Sequence, residues 1–258
     1  MWLPIPQSCV IGTSWAAVSI HKKACVMNLH GTNVVIVGGS SGIGLATAKL
    51  VKEQSANVTI AGRSSEKLRR AVQQLGDVRA LIADITSEAD VQEIFGELDR
   101  IDHVFISAGR LLLGKVLEAD LETLRSDVDQ RFWGPLYVVR TAVPKMTHGS
   151  ITFLTGSLAS RPRVGAVVTE AMFGAIEVLV KGLALELAPI RVNAVAGGTI
   201  DTPLMGEHRD EMVAWATDRL PVKRIGLAEE VAQAVMLLMT NGFITGEVLH
   251  IDGGGRLV

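Results

Sequence analysis

The stretch Val34-Val35-Ile36-Val37-Gly38-Gly39-Ser40-Ser41-Gly42-Ile43-Gly44-Leu45 decides the fold. A β-branched apolar run stops at a glycine cluster, and a helical pattern carried by Ala46, Leu50 and Val51 follows at once. That order predicts a buried strand, a tight turn and a helix. Glycine belongs where φ must be positive or where backbone must approach another group closely. A helix opening from such a turn aims free N–H groups and its positive dipole end at whatever sits above it, and a diphosphate is the natural occupant. The spacing is Gly-x-x-x-Gly-x-Gly rather than the Gly-x-Gly-x-x-Gly of the commonest dinucleotide fingerprint, with the same mechanics. A bare strand-to-helix turn would look the same locally, so the assignment depends on the rest of the chain.

The 258 residues are 48% hydrophobic and 20% charged, which fits one α/β domain with a large core. A net charge of −2 gives no basic footprint for nucleic acid or an anionic membrane. Cys9 and Cys25 are the only cysteines and both precede the glycine turn, so neither a disulfide scaffold nor thiol catalysis is expected. The histidines (His21, His30, His103, His148, His208 and His250) show no metal-ligand spacing, and no metal is expected. Residues 1–26 carry Trp2, Pro4, Pro6 and Trp15, then an apolar patch that ends at His21-Lys22-Lys23. A secretory signal places its charge ahead of the apolar region, and this patch is too short to span a bilayer. It reads as a poorly ordered extension ahead of a domain at 27–258, with the cytoplasm as the default location.

Short apolar runs at 57–61, 78–83, 103–106, 150–155, 190–195 and 247–251 predict further strands. Helical patterns fall between them at 66–75, 88–98, 121–146, 170–187 and 228–239. A looser stretch at 197–224 holds Pro203, Pro221 and a short helix near 211–219. Strands alternating with helices predict a single doubly wound α/β domain, its parallel sheet covered on both faces. Ligands of such sheets sit beyond the carboxyl ends of the strands. The glycine turn, Arg63, Asp84 and residues 107–109, 155–157 and 197–202 are therefore the places to examine.

Taken in order, these places resemble the short-chain dehydrogenase/reductase family. The matching pieces are Gly38-x-x-x-Gly42-Ile43-Gly44, Asp84, Ser107-Ala108-Gly109 in the place of Asn-Ala-Gly, and Gly156-Ser157. Arg191-Val192-Asn193-Ala194-Val195, Thr202-Pro203 and Asp252-Gly253-Gly254 follow, so that the resemblance covers 29–258. It implies a Rossmann-type fold, an NAD or NADP cofactor, and hydride transfer to or from a carbonyl or alcohol carbon of a small-molecule substrate. It also implies cofactor contacts from Gly38, Ser40, Ser41, Gly42, Ile43, Gly44, Asp84, Ile85, Ser107, Ala108, Gly109, Gly198 and Thr202. Asp84 would face the adenine amino group, and an N-cap of the following helix is the bland reading of the same residue. The corresponding helices pair between subunits in the family, and 132–143 and 175–187 carry more apolar residues than one buried face needs, so a homodimer or homotetramer is expected.

Cofactor choice follows from charge. A carboxylate at the end of the second strand would accept bonds from the adenosine ribose and repel a 2′-phosphate. Here Gly62 is followed by Arg63, whose guanidinium can grip a phosphate with two parallel bonds, and Ser64 adds a hydroxyl. NADP(H) is expected over NAD(H).

The catalytic machinery departs from the family. Members use a Tyr to pass the proton, a Lys four residues on, a Ser and an Asn. Ser157 takes the Ser place, but Glu170 stands at the Tyr place, Gly174 at the Lys place and Arg131 at the Asn place. The only tyrosine is Tyr137 and residue 141 is Thr, so no Tyr-x-x-x-Lys exists anywhere in the chain. In one reading the site is rebuilt: Ser157 holds the substrate oxygen, and Glu170 pairs with Arg131 or serves as acid/base. In the other, the protein binds NADP(H) without turnover, as a sensor, scaffold or partner subunit. Met205, Met212, Trp215 and Leu220 read either as the lining of an apolar pocket under a mobile lid or as the buried face of a short helix. The lid composition suggests a mainly apolar, neutral substrate.

Overall fold

The computed structural model describes residues 28–110 and 114–258, so the extension expected at 1–26 and both cysteines lie outside the described residues. The strands are β1 (Asn33–Val37), β2 (Asn57–Gly62), β3 (Arg79–Ile82), β4 (His103–Ile106), β5 (Ser150–Gly156), β6 (Arg191–Gly197), β7 (Ile200–Asp201), β8 (Gly226–Leu227) and β9 (Val248–Ile251). The α-helices are α1 (Gly42–Glu53), α2 (Ser65–Leu75), α3 (Glu88–Gly96), α4 (Leu121–Val128), α5 (Gly134–Ala142), α6 (Val167–Glu186), α7 (Arg209–Arg219) and α8 (Ala228–Thr240). Seven strands form one parallel sheet in the order β3-β2-β1-β4-β5-β6-β9. The order reverses between β1 and β4, which is where open α/β sheets leave a crevice for ligands.

Both faces of the sheet are covered, which is why its strands read as unbroken apolar runs. Alternate residues of a strand face opposite sides. Val35 and Val37 accordingly join Phe95, Val104, Ile106, Val138 and Val180 in one core. Val34 and Ile36 join Ala48, Val51, Phe105, Val235 and Leu238 in the other. Ser64 and Ser87 cap α2 and α3 by accepting from Lys67 N and Asp90 N.

Three departures from the sequence reading matter for the site. The stretch 121–146 is not one regular helix: a π turn (Asp129–Trp133) separates α4 from α5, and a 3₁₀ turn (Val143–Lys145) closes it. The register change lets Gly134 meet the chain after β3, where a β-carbon would lie 2.8 Å from Ile85 Cγ1. Secondly, α6 begins at Val167, so Glu170 lies in its first turn rather than at its start. Thirdly, β7 and β8 pair as a separate two-stranded parallel sheet, with Ile200 opposite Gly226 and Asp201 opposite Leu227. Two residues are too few to carry an alternation signal.

At the amino edge of the sheet, His103 Nδ1 lies 2.9 Å from Ser150 Oγ, and both residues are buried. Burial, helped by Arg191 and His148 and opposed by Asp102, pushes the His103 pKa down to about 4. The folded protein therefore holds this imidazole neutral. Below pH 6.5 the unfolded chain takes up a proton that the folded chain refuses until about pH 4, so stability is lost as pH falls through that window. The shift corresponds to about 3 kcal/mol at most. Urea denaturation at pH 7.5, 5.5 and 4.5 should show the wild type losing more stability on acidification than His103→Asn; parallel losses would refute this account.

Candidate functional site

The glycine turn is packed backbone against backbone. A β-carbon on Gly38 (φ +93°) would lie 2.6 Å from Ala108 N, and one on Gly44 would lie 2.2 Å from Gly38 O. Ser107 Oγ, within 2.7 Å of both positions, donates to Val37 O at 3.1 Å. Ser107 thus acts as a strut joining the end of β4 to the end of β1, a role beyond the cofactor contact expected of it. Ser41 is the N-cap of α1, but its side chain makes no capping bond, and the first turn holds no acidic residue. Free N–H groups at the opening of a twelve-residue helix suit an anion. The β-carbon position of Gly42 (φ +53°) is 3.4 Å from Thr202, which brings the chain after β7 over the turn. Ser40 Oγ lies 3.4 Å from the corresponding position of Gly62, while Ile43 packs into the core.

Arg63 and Asp84 meet at the carboxyl ends of β2 and β3, with 3.7 Å between Nη1 and Oδ2. Asp84 Oδ1 accepts from Thr86 N and Thr86 Oγ1 at 2.9 and 2.8 Å. The cap of α3 belongs to Ser87 and not to Asp84, which corrects the bland reading. Ser64 uses its oxygen to cap α2. Ile85 is buried against the start of α5. Gly198 serves as a seat: a β-carbon there would lie 2.6 Å from Asp252 Cα. The Asp252 carboxylate in turn takes Gly254 N, Arg256 N and Arg256 Nη1 within 3.0 Å.

Ser157 opens a 3₁₀ turn (Ser157–Ala159) after β5, and its carbonyl accepts from Ser160 N and Arg161 N. No hydrogen bond ties up its hydroxyl among the described residues. Just before it, the Phe173 ring covers Gly156, whose β-carbon would lie 2.6 Å from Phe173 Cε2. The Arg131 guanidinium sits 4.7 Å from the centroid of the same ring, a cation–π contact.

Arg131, in the π turn, donates from Nε to Asp127 Oδ1 at 2.8 Å and from Nη2 to Arg110 O. Its Nη1 lies 3.5 Å from the β-carbon position of Gly109. Burial lowers the Arg131 pKa, and the adjacent Asp127 carboxylate raises it back. Asp127 itself is 1% exposed, and its other oxygen accepts from Thr169 Oγ1 at 2.5 Å. Glu170, also buried, accepts at Oε1 from Arg163 N.

The expected pairing of Glu170 with Arg131 is not formed. Asp127 lies one helical turn before Arg131, a spacing that brings two side chains together at little entropic cost. Glu170 instead ties down the loop that precedes α6. Gly174, at the family's Lys place, would meet nothing within 4 Å if given a β-carbon. Asp127, Thr169 and Phe173 escaped the sequence reading. Only the first pair left a signal, the four-residue spacing of Asp127 and Arg131.

The segment between β7 and β8 has a small core of its own. Ala216, Leu220 and Ile225 are buried there, with Met205 and Val213 packed on them, while Trp215 is 38% exposed. Met205 and Leu220 thus belong to the buried face of this segment, and Leu220 also faces a cavity beneath it. A cavity of about 110 Å³ beneath it is lined by Ile200, Leu220, Val222, Glu230, Ile251 and Asp252, among others.

A family profile described as enoyl-(acyl carrier protein) reductase matches residues 37–255. The short-chain dehydrogenase/reductase malC of Malbranchea aurantiaca is 32% identical over 251 residues, 88% of this chain and 95% of its own. Carbonyl reductase family member 4 of Xenopus laevis is 32% identical over 231 residues, 86% of this chain and 97% of its own. Among solved structures, the MalC reductase/Diels-Alderase from Malbranchea aurantiaca matches with a TM-score of 0.84 at 29% identity, covering 89% of this chain and 97% of that one. A small-chain dehydrogenase in complex with NADPH matches with a TM-score of 0.78 at 32% identity, covering 88% and 100%. With its seven-stranded parallel sheet and its glycine turn at the crevice, the chain belongs to the short-chain dehydrogenase/reductase family of nicotinamide-dependent oxidoreductases.

Proposed function

We propose that this oxidoreductase uses NADP(H) in preference to NAD(H) and acts on the carbonyl or alcohol of a small, mainly apolar substrate. In this reading Ser157, Glu170 and Arg131 do the work of the missing Tyr–Lys pair. The observation that carries it is that the buried Arg131 pairs with Asp127 and not with Glu170, which leaves Glu170 without a cationic partner among the described residues. A carboxyl group so placed can move a proton instead of anchoring an ion pair.

The residues present fit the dinucleotide. The uncapped start of α1 suits the diphosphate, and the crowding at Gly38 and Gly44 shows why the backbone there carries no side chains. Arg63, half exposed, follows Gly62 at the place of an NAD-selective carboxylate, and its contact with Asp84 is loose enough to exchange for a phosphate. Asp84, Ile85, Ala108, Gly109 and Thr202 complete the proposed cradle. Bound there, the nicotinamide supplies or accepts the hydride at the substrate carbon. Ser157 Oγ donates a hydrogen bond to the substrate oxygen. Arg131, a cation shielded from water, favours negative charge developing on that oxygen. Glu170 gives the oxygen its proton during reduction and takes it back during oxidation.

Val164 and Leu204, 89% and 60% exposed on the loops after β5 and β7, support an apolar substrate. Val178 and Leu185 line the outer side of α6 at 69% and 85% exposure, which supports pairing of two copies as a homodimer or homotetramer. Among the described residues no helix is long and apolar enough to cross a membrane.

Calorimetric titration of Arg63→Ala should show NADPH affinity weakened by about tenfold or more while NADH affinity changes little; equal changes for both would remove the phosphate clamp. Glu170→Gln should lower kcat for NADPH-dependent carbonyl reduction by about 100-fold with NADPH binding intact. An unchanged kcat would take Glu170 out of the mechanism. Tight NADPH binding by the wild type without turnover across a broad carbonyl panel would replace this reading with that of a silent nucleotide-binding protein.

A further inference from the structure

Asp127 is the most deeply buried carboxylate near the site, and the sheet and its cores have no need of one there. It is 1% exposed at the end of α4, beside a small cavity walled by Gly114, Ala119, Leu124, Ala166 and Val168. A carboxylate in such surroundings costs several kcal/mol unless every oxygen is engaged. Both are: Oδ1 takes Arg131 Nε at 2.8 Å and Oδ2 takes Thr169 Oγ1 at 2.5 Å. One carboxylate therefore joins the π turn to the residue immediately before Glu170.

The π turn uses this fixed point to hold the loop after β4. Gln130 Oε1 accepts from Arg110 N at 3.0 Å, and Arg131 Nη2 donates to Arg110 O, so both polar atoms of one peptide position are gripped. With Nε on Asp127 and Nη2 on Arg110, the guanidinium has lost its freedom to swing, and Nη1 is left beside Gly109 at the carboxyl end of β4. A further donor in the same turn, Gln130 Nε2, is buried without a partner among the described residues. Here the donors left over lie in the turn that borders the crevice.

We infer that Asp127 is a positioning residue: it aims the Arg131 guanidinium at the crevice and couples it, through Thr169, to the helical turn that carries Glu170. This rests on the role proposed above for Arg131. Burial lowers the Arg131 pKa and the Asp127 carboxylate opposes that lowering, which agrees with this role.

The test is a double-mutant cycle of Asp127→Asn, Arg131→Gln and the pair together, on the full chain, with NADPH and 4-nitrobenzaldehyde as the probe carbonyl. Asp127→Asn is expected to lower kcat at least tenfold while NADPH affinity by calorimetry stays within twofold. Added to Arg131→Gln, it should change kcat less than twofold. The melting temperatures should be non-additive too, because removing both charges costs less than stranding one. Thr169→Val, which leaves the ion pair in place, should lower kcat several-fold at unchanged NADPH affinity, and it carries the test should Asp127→Asn not fold. Additive losses in kcat, or wild-type kcat in Asp127→Asn or in Thr169→Val, would overturn the inference alone. Wild-type kcat in Arg131→Gln, or no turnover by the wild type, would overturn the proposed catalytic reading and this inference with it.

Discussion

A single methyl group on Gly44 would lie 2.2 Å from the carbonyl oxygen of Gly38, and one on Gly38 would lie 2.6 Å from the amide of Ala108. Apart from the Ser107 hydroxyl, no side chain fits between the end of β1, the start of α1 and the exit of β4. That exclusion lets a helix open directly over the crevice where the strand order reverses. Gly38 N also donates to Ala61 O, and Ser107 N to Val37 O, so β1 is pinned to both neighbours at the same level. Every other group of the site is placed relative to this point: Arg63 and Asp84 follow β2 and β3, the 107–109 segment follows β4, and Ser157 follows β5. The geometry of the site is thus a consequence of backbone packing at one turn, with side-chain chemistry added around it.

The parts legible in the sequence are those in which a local pattern and the tertiary outcome coincide. The run Val34-Val35-Ile36-Val37 has both faces covered, so its hydrophobicity is continuous and unmistakable. The glycine spacing was readable because close approach leaves a residue no alternative. The π turn was not readable, since its shifted hydrogen bonding favours no residue type. Nor was β7–β8, where two residues on each side carry no periodicity. The partner of Glu170 is a backbone N–H of the preceding loop, and a peptide group has no letter of its own. Phe173 against Gly156 is a long-range contact between residues that are ordinary in their own segments. For Arg131 the pairing with Glu170, one of the two alternatives read from the sequence, is not formed, because a nearer carboxylate lies one turn behind it.

Arg131 and Gly174 together describe a redistribution of charge. A β-carbon at Gly174 would meet open space, and in the proposed reading the guanidinium of Arg131 supplies the cation that a lysine would have brought there. The two cations are not equivalent. An ammonium on a flexible stem can move with its ligand, whereas this guanidinium is stacked on Phe173 and held at two of its nitrogens. Its side chain is only 11% exposed, so its field is little screened by water. The guanidinium is thus fixed in place by its packing and its hydrogen bonds.

The segment from Thr202 to Ile225 runs from the end of β7 to the start of β8, and those two strands are hydrogen-bonded to each other. Ion pairs reinforce both ends, Arg209 with Asp201 and Arg224 with Glu230, each through two hydrogen bonds. The segment has its own core in Ala216, Leu220 and Ile225. It is therefore a cassette with its own small core, its two ends joined by short strands outside the seven-stranded sheet. Lineages can lengthen, shorten or exchange such a cassette without shifting the register of the sheet or the glycine turn. Substrate range and cofactor chemistry are then free to diverge at different rates within one chain.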